Sequence, residues 1–252
     1  MKGAIALVIA ATPCGGCVAS STLFEGPLVW AIVMGAESVD PLPPLRVGTA
    51  VMVVANTEAG SDLEQDSWID DAVVSMDAGA GDVEMEWRGD GVYLSKPPIS
   101  FALHAPEEQM LVGTASFLGE THEIGQIAPP PIASGEYLTH PVDTKLVVEV
   151  PRGLDVAYTA VLAQLMTADG TEIWNNFPKD GRGWLNLLAT DRVPKSISVP
   201  ATAFDQADVT IGLAIYALRA DDDTFTATRG LHSVLSGFVT GSTLTLPIDV
   251  TP

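Results

Sequence analysis

Val83-Glu84-Met85-Glu86-Trp87-Arg88-Gly89-Asp90-Gly91-Val92-Tyr93-Leu94 carries the pattern that decides the fold. Residues 83–87 alternate apolar and acidic, placing Val83, Met85 and Trp87 on one face of an extended chain and both glutamates on the other. That period of two marks a strand with one buried face. Arg88-Gly89-Asp90-Gly91 reads as a hairpin turn, and Val92-Tyr93-Leu94 as its return strand.

The same grammar extends in both directions. Leu28 to Met34 and Val47 to Ala55 are apolar runs of strand length, ended by Gly35 and Asn56. Pro41-Leu42-Pro43-Pro44 between them cannot join a central strand. Leu63 to Trp68 reads as one helical turn. Ala72 to Met76 runs into an acidic glycine turn at 77–82, and Ser100 to His104 and Leu111 to Phe117 supply two more strands. Further on come Lys145 to Val150, Val156 to Met166, Trp184 to Ala189, Ile197 to Val199, Val209 to Leu218, Ser233 to Thr240 and Thr243 to Val250. No stretch holds the amphipathic period of a three- or four-turn helix. Strands recurring every ~8–16 residues between turn signals predict an all-β protein of β-sandwiches. Pro129-Pro130-Pro131-Ile132-Ala133-Ser134 reads as a stiff linker. It divides the expected sandwiches into 27–128 and 135–252.

Upstream, Lys2 precedes eight small apolar residues, Ala4 to Ala11, followed by Pro13 and Cys14-Gly15-Gly16-Cys17. That order is the one of a secretory signal, and the apolar run is far short of the ~20 residues that span a bilayer. Cys14 and Cys17 also form a CxxC, but Val18 to Thr22 gives no helix for a redox motif, and zinc would need further ligands that no other cysteine supplies. Residues 1–17 are therefore expected to be a signal and 18–26 a tether.

The chain has 252 residues, of which 47% are hydrophobic, enough for a packed core. Its 12 Lys and Arg face 32 Asp and Glu, a net charge of −20. That charge disfavours nucleic acid and electrostatic adhesion to anionic lipid. The expected partners are another envelope protein or a glycan.

Motifs for chemistry are weak. His122-Glu123-Ile124-Gly125 begins like a zinc-protease HExxH, but position 126 is Gln. GxSxG, GxGxxG and a phosphate loop are all missing, so no catalytic residue and no cofactor is assigned. The acidic groups Asp66/Asp70/Asp71, Asp77/Asp82 and Asp221-Asp222-Asp223 do not have the spacing of a full calcium loop. The last of them is the weak candidate metal site and reads first as a solvated turn. Trp174-Asn175-Asn176 and Trp184 flank a loop with Lys179, Asp180 and Arg182. Rings at its rim would stack a sugar; rings at its base would plug the sandwich, the expected outcome.

Two stretches are similar to known domains. Asp71-Ala72-Val73-Val74-Ser75-Met76, the Asp90-Gly91-Val92-Tyr93 turn, the Phe101–His104 strand and Pro129-Pro130-Pro131 resemble the transthyretin-like or carboxypeptidase-regulatory-like sandwich. Ser198-Val199-Pro200-Ala201-Thr202-Ala203-Phe204, followed by Ile211 to Leu218, resembles the final strands of immunoglobulin-like or fibronectin-type domains. Likewise Gly15-Gly16-Cys17 resembles the end of a bacterial lipobox, with Cys14 where that pattern prefers an aliphatic residue; the resemblance implies that Cys17 is the site of lipidation and that a membrane, reached through that lipid, is a partner. These likenesses imply two tandem immunoglobulin-like sandwiches and a surface setting; no binding residue carries over. The expected function is that of a non-catalytic cell-envelope lipoprotein, outer-membrane or cell-surface, that binds, adheres or spaces; it would be secreted if only an ordinary signal is cleaved. The alternatives are a carbohydrate-binding module using the Trp174–Trp184 loop and, more remotely, a hydrolase with an acidic site.

Overall fold

The computed structural model describes residues 26–37, 46–57, 68–96, 99–100, 110–117, 119–127, 137–150, 160–189, 193–220, 226–227, 231 and 236–252. Residues 1–25, the 129–134 segment, most of Leu63 to Trp68, and Asp221 to Asp223 lie outside them.

The first half holds β1 (Gly26–Glu37), β2 (Arg46–Thr57), β3 (Val73–Asp77), β4 (Asp82–Gly89), β5 (Val92–Ser95), β6 (Ile99–Ser100), β7 (Met110–Phe117) and β8 (Glu120–Ile127). The second half holds β9 (Leu138–Pro141), β10 (Leu146–Glu149), β11 (Ala160–Thr167), β12 (Glu172–Asn175), α1 (Gly181–Ala189), β13 (Ser196–Val199), β14 (Val209–Ala220), β15 (Thr226–Ala227) and β16 (Gly237–Thr251). The all-β class expected from the alternation is the class observed.

One path of hydrogen-bonded strands runs β12-β11-β14-β16-β1-β2-β5-β4-β3-β7-β8-β15, with β6 on β2 and β9 on β16 as side branches. Strands β10 and β13 pair separately. The path is open, with β12 and β15 at its ends. Strand β4 turns a corner in it: residues 82–84 pair with β3, and the remainder pairs with β5.

Side-chain parity along this path sorts the interior into three cores. Ile32, Met34, Val51 and Val53 share one sheet face with Leu162, Tyr216 and Leu218, and this core draws on both halves. On the opposite face, Val33, Met52 and Tyr93 pack on Val74, Met76, Leu111 and Ile124, so β3, β7 and β8 form a second layer there. Farther along that same face, Leu165, Leu213 and Ile215 pack on Ile197 and Val199 of β10–β13. Strands β1, β2, β11 and β14 are thus covered on both sides. This is why they read as unbroken apolar runs and not as alternation. Each Leu, Ile or Val so enclosed contributes roughly 1.5–3 kcal/mol.

The boundary drawn at 129–134 does not separate the strands. β1 lies between β2 on one side and β16 on the other, in parallel register from Trp30 opposite Gly237 to Met34 opposite Gly241. β16 is also one strand of fifteen residues where two were expected, because it pairs with β14 along almost all of its length. Trp184 to Ala189, read as a strand, belongs to helix α1. The two glycines at its start disguised it. Asp180 starts the helix, its carboxylate accepting a hydrogen bond from the Gly183 N–H at 2.6 Å. Trp184 and Leu187, three apart, supply the face that packs on the shared core. β8 went unread because its buried positions include His122 beside Ile124.

The opening hairpin forms as expected, but of Val83, Met85 and Trp87 only Met85 is buried: Trp87 is 53% exposed, its indole N–H held by Asp70. Asp90 (φ 47°) and Gly91 (φ 67°) make the two-residue turn between β4 and β5. A Cβ on Gly91 would stand 2.2 Å from the Val54 carbonyl oxygen, so close approach of β2 also demands glycine there.

Candidate functional site

The face shared by both halves is apolar at its centre and polar at one end. On β2 it reads Val53, Val51, Thr49; on β11 it reads Leu162, Gln164. Gln164 is only 3% exposed and Thr49 only 7%, so each needs partners in the fold. They find one another. The Gln164 Oε1 accepts hydrogen bonds from the Tyr216 hydroxyl at 2.8 Å and the Thr49 hydroxyl at 3.2 Å. Its Nε2 donates to Glu172 Oε2 at 2.6 Å, and the other Glu172 oxygen accepts from the Asn175 Nδ2 at 2.6 Å.

Register irregularities aim the charged groups. Between β11 and β12, Leu165 faces Trp174 but Met166 faces Glu172, so Ile173 is the extra residue. That bulge turns Glu172 and Asn175 to the same side, where Gln164 is. Between β4 and β5, Trp87 faces Tyr93 but Gly89 faces Val92, making Arg88 the extra residue. Arg88 pairs with Glu86 at 3.1 Å. A cleft of about 630 Å³ lies between the two bulged strand pairs, with Gln164, Glu172, Glu86, Arg88 and Lys96 among the residues that line it. Leu94 and Met166 contribute its apolar surface, and Ser95, whose Oγ accepts the Ala50 N–H at 2.9 Å, closes one side.

Burial pushes the Tyr216 phenol well above its ordinary pKa, and the nearby Glu172 carboxylate adds to the rise. Tyr216 therefore stays a neutral donor to Gln164 throughout the neutral range. Helix α1 covers the shared core with Trp184, whose ring lies 5.8 Å from that of Phe177.

The tryptophan loop is not assembled as a platform. Trp184 is 1% exposed in the core shared by both halves, and Trp174 packs against the core on the opposite face of the sheet. Asn175 and Asn176 are turned to structural work: Asn175 bonds Glu172, and the Asn176 side-chain Oδ1 accepts the Ala163 N–H at 2.7 Å. Trp184 is thus enclosed, whereas Trp174 is partly buried. Sequence reasoning missed Gln164 and Glu172 entirely. The available signal was one polar residue inside the apolar run 160–166.

Two of the described acidic residues, Asp70 and Asp77, serve turns. The Asp70 carboxylate accepts the Gly91 N–H at 2.7 Å and the Trp87 indole N–H at 2.9 Å, while Asp77 accepts from Gly79 and Gly81. Asp221, Asp222 and Asp223 lie outside the described residues, as does Cys17. Among the described residues no group of three or more His, Cys, Asp and Glu is placed to hold a metal ion, and no helix is long and apolar enough to cross a membrane.

A second groove, of about 640 Å³, lies at the far side of the second half against Ile173, Phe204, Thr210 and Ile211. It is more open and lacks a buried polar floor. No protein-family model matches this chain, and no curated protein matches it. Fold and cleft together describe an all-β protein with a preformed polar recess between its halves.

Proposed function

We propose that the protein is a non-catalytic module of the cell envelope, held at a membrane by a lipid on Cys17, that works by binding. The cleft supports the binding part of this reading. Gln164 and Thr49 form a floor already hydrogen-bonded to each other and to the buried Tyr216 hydroxyl behind it before any ligand arrives, so little ordering cost remains on binding. The anchor part rests on Lys2, the apolar run Ala4 to Ala11 and Gly15-Gly16-Cys17. The net charge of −20 leaves an acyl chain, not electrostatics, as the force holding such a protein to anionic lipid.

Intact mass of the protein recovered from membranes tests the anchor. The expected result is a chain beginning at Cys17 and carrying acyl groups, and Cys17→Ala is expected to leave the membrane fraction or remain unprocessed. An unchanged mass and partition in that variant would overturn the anchor.

A further inference from the structure

The cleft is electrically unlike the rest of the molecule. In a chain with 12 basic and 32 acidic residues, two cations, Arg88 and Lys96, stand together on the β4–β5 wall. A carboxylate, Glu172, stands on the β11–β12 wall. Both of its oxygens accept one hydrogen bond, from Gln164 and from Asn175, which orients the group and leaves lone pairs on each oxygen for a further donor. Arg88 is oriented in turn by Glu86. Between the walls lie Leu94 and Met166, aliphatic surface in place of the aromatic face on which a sugar would stack.

We propose that this cleft binds a small zwitterion, an amino acid or a short peptide, whose carboxylate meets Arg88 and Lys96 and whose ammonium meets Glu172. The β4–β5 wall, with Arg88 and Lys96 against the one carboxylate of Glu86, is net positive and faces Glu172, an opposition that selects a ligand carrying both charges and fixes its direction. The charged groups of the walls, Arg88, Lys96 and Glu172, exclude a purely apolar occupant, which would desolvate them without partners. A volume of about 630 Å³ suits a ligand of this class together with bound water. The inference deepens the binding part of the proposed function and does not depend on the lipid anchor.

Titration calorimetry on the full chain tests it, with alanine, dialanine and trialanine as probes, and with N-acetylalanine and alaninamide as analogues lacking one charge. The expected result is binding of at least one zwitterion, with each blocked analogue about tenfold weaker or worse. The tighter of alanine and the peptides identifies the source. Lys96→Gln and Glu172→Gln are each expected to weaken the zwitterion by a similar factor. Lys96 is exposed, so its variant keeps the test valid if the Glu172 change disturbs folding. Lysine variants that bind as the parent does, blocked analogues that bind as tightly as zwitterions, or no heat with any probe would overturn the proposal. Failure here leaves the membrane partition of Cys17→Ala untouched, so the two readings fail separately.

Discussion

The Gln164 Oε1 on β11 and the Thr49 hydroxyl on β2 are 3.2 Å apart, although β14, β16 and β1 lie between their strands. In a flat sheet four strand spacings would hold them ~19 Å apart. The contact therefore requires the sheet to curl until its two halves face each other, and the cleft is the open end of that curl. Removing the amide should expose what it satisfies. Gln164→Leu leaves the Tyr216 and Thr49 hydroxyls and a Glu172 oxygen without their partner, an expected loss of ~2–4 kcal/mol by denaturant melt. Gln164→Glu places a second carboxylate beside Glu172, so one of the pair has its folded-state pKa raised. Its stability deficit should shrink as pH falls and protonation relieves the repulsion, whereas the parent should not gain stability from this source on acidification.

Tyr216 should titrate late. Its folded-state pKa is raised from the ordinary 10.0, first by burial and then by Glu172. The neutral phenol's contribution to stability is fully present below the unfolded value and is lost as pH climbs from there toward the raised folded value. Ultraviolet phenolate absorbance followed alongside circular dichroism should show this residue ionising only with unfolding. Tyr216→Phe should remove that step and flatten stability at alkaline pH.

Trp184 closes the shared core. Trp184→Ala should cost ~3–5 kcal/mol, as for other enclosed aromatics. Among the described residues the indole N–H has no hydrogen-bond partner. Trp184→Phe keeps a ring and removes that unpaired donor, so it should cost clearly less in the same thermal melt. A parent-like melt for the alanine variant would contradict the placement of this ring.

Tyr93 ties the segment before β3 to the sheet. Its hydroxyl donates to the Ile69 carbonyl and accepts the Ala72 N–H, both at 2.9 Å. Tyr93→Phe strands both backbone groups, with an expected cost of ~1–3 kcal/mol and faster amide exchange at Ala72.

Cleavage within 129–134 should not yield two independent folded fragments. β1 pairs with both β2 and β16, and the shared core contains Ile32 and Val53 from one half and Leu162 and Tyr216 from the other. A nicked chain is expected to migrate as one species and to unfold in one transition in native gel and melt. Separation into two folded pieces would disprove the shared core.

The sequence by itself determined what is local. Alternation over Val83 to Trp87, the Asp90-Gly91 turn and the apolar runs at 28–34, 47–55 and 209–218 specify strands, because side-chain direction in an extended chain repeats every two residues whatever the chain packs against. Continuous apolar runs further announced strands covered on both faces. Only the tertiary structure decided which of those faces meet. The pairing of Trp30 with Gly237 and the contact of Gln164 with Thr49 join residues far apart in the chain, and the bulges that aim Glu172 and Arg88 break the period of two within their hairpins. No local period encodes them, since they follow from how the apolar surface of many strands is most fully removed from water at once. Helix α1 shows the same division: Gly181 and Gly183 argue locally against a helix, and the burial of Trp184 overrides them.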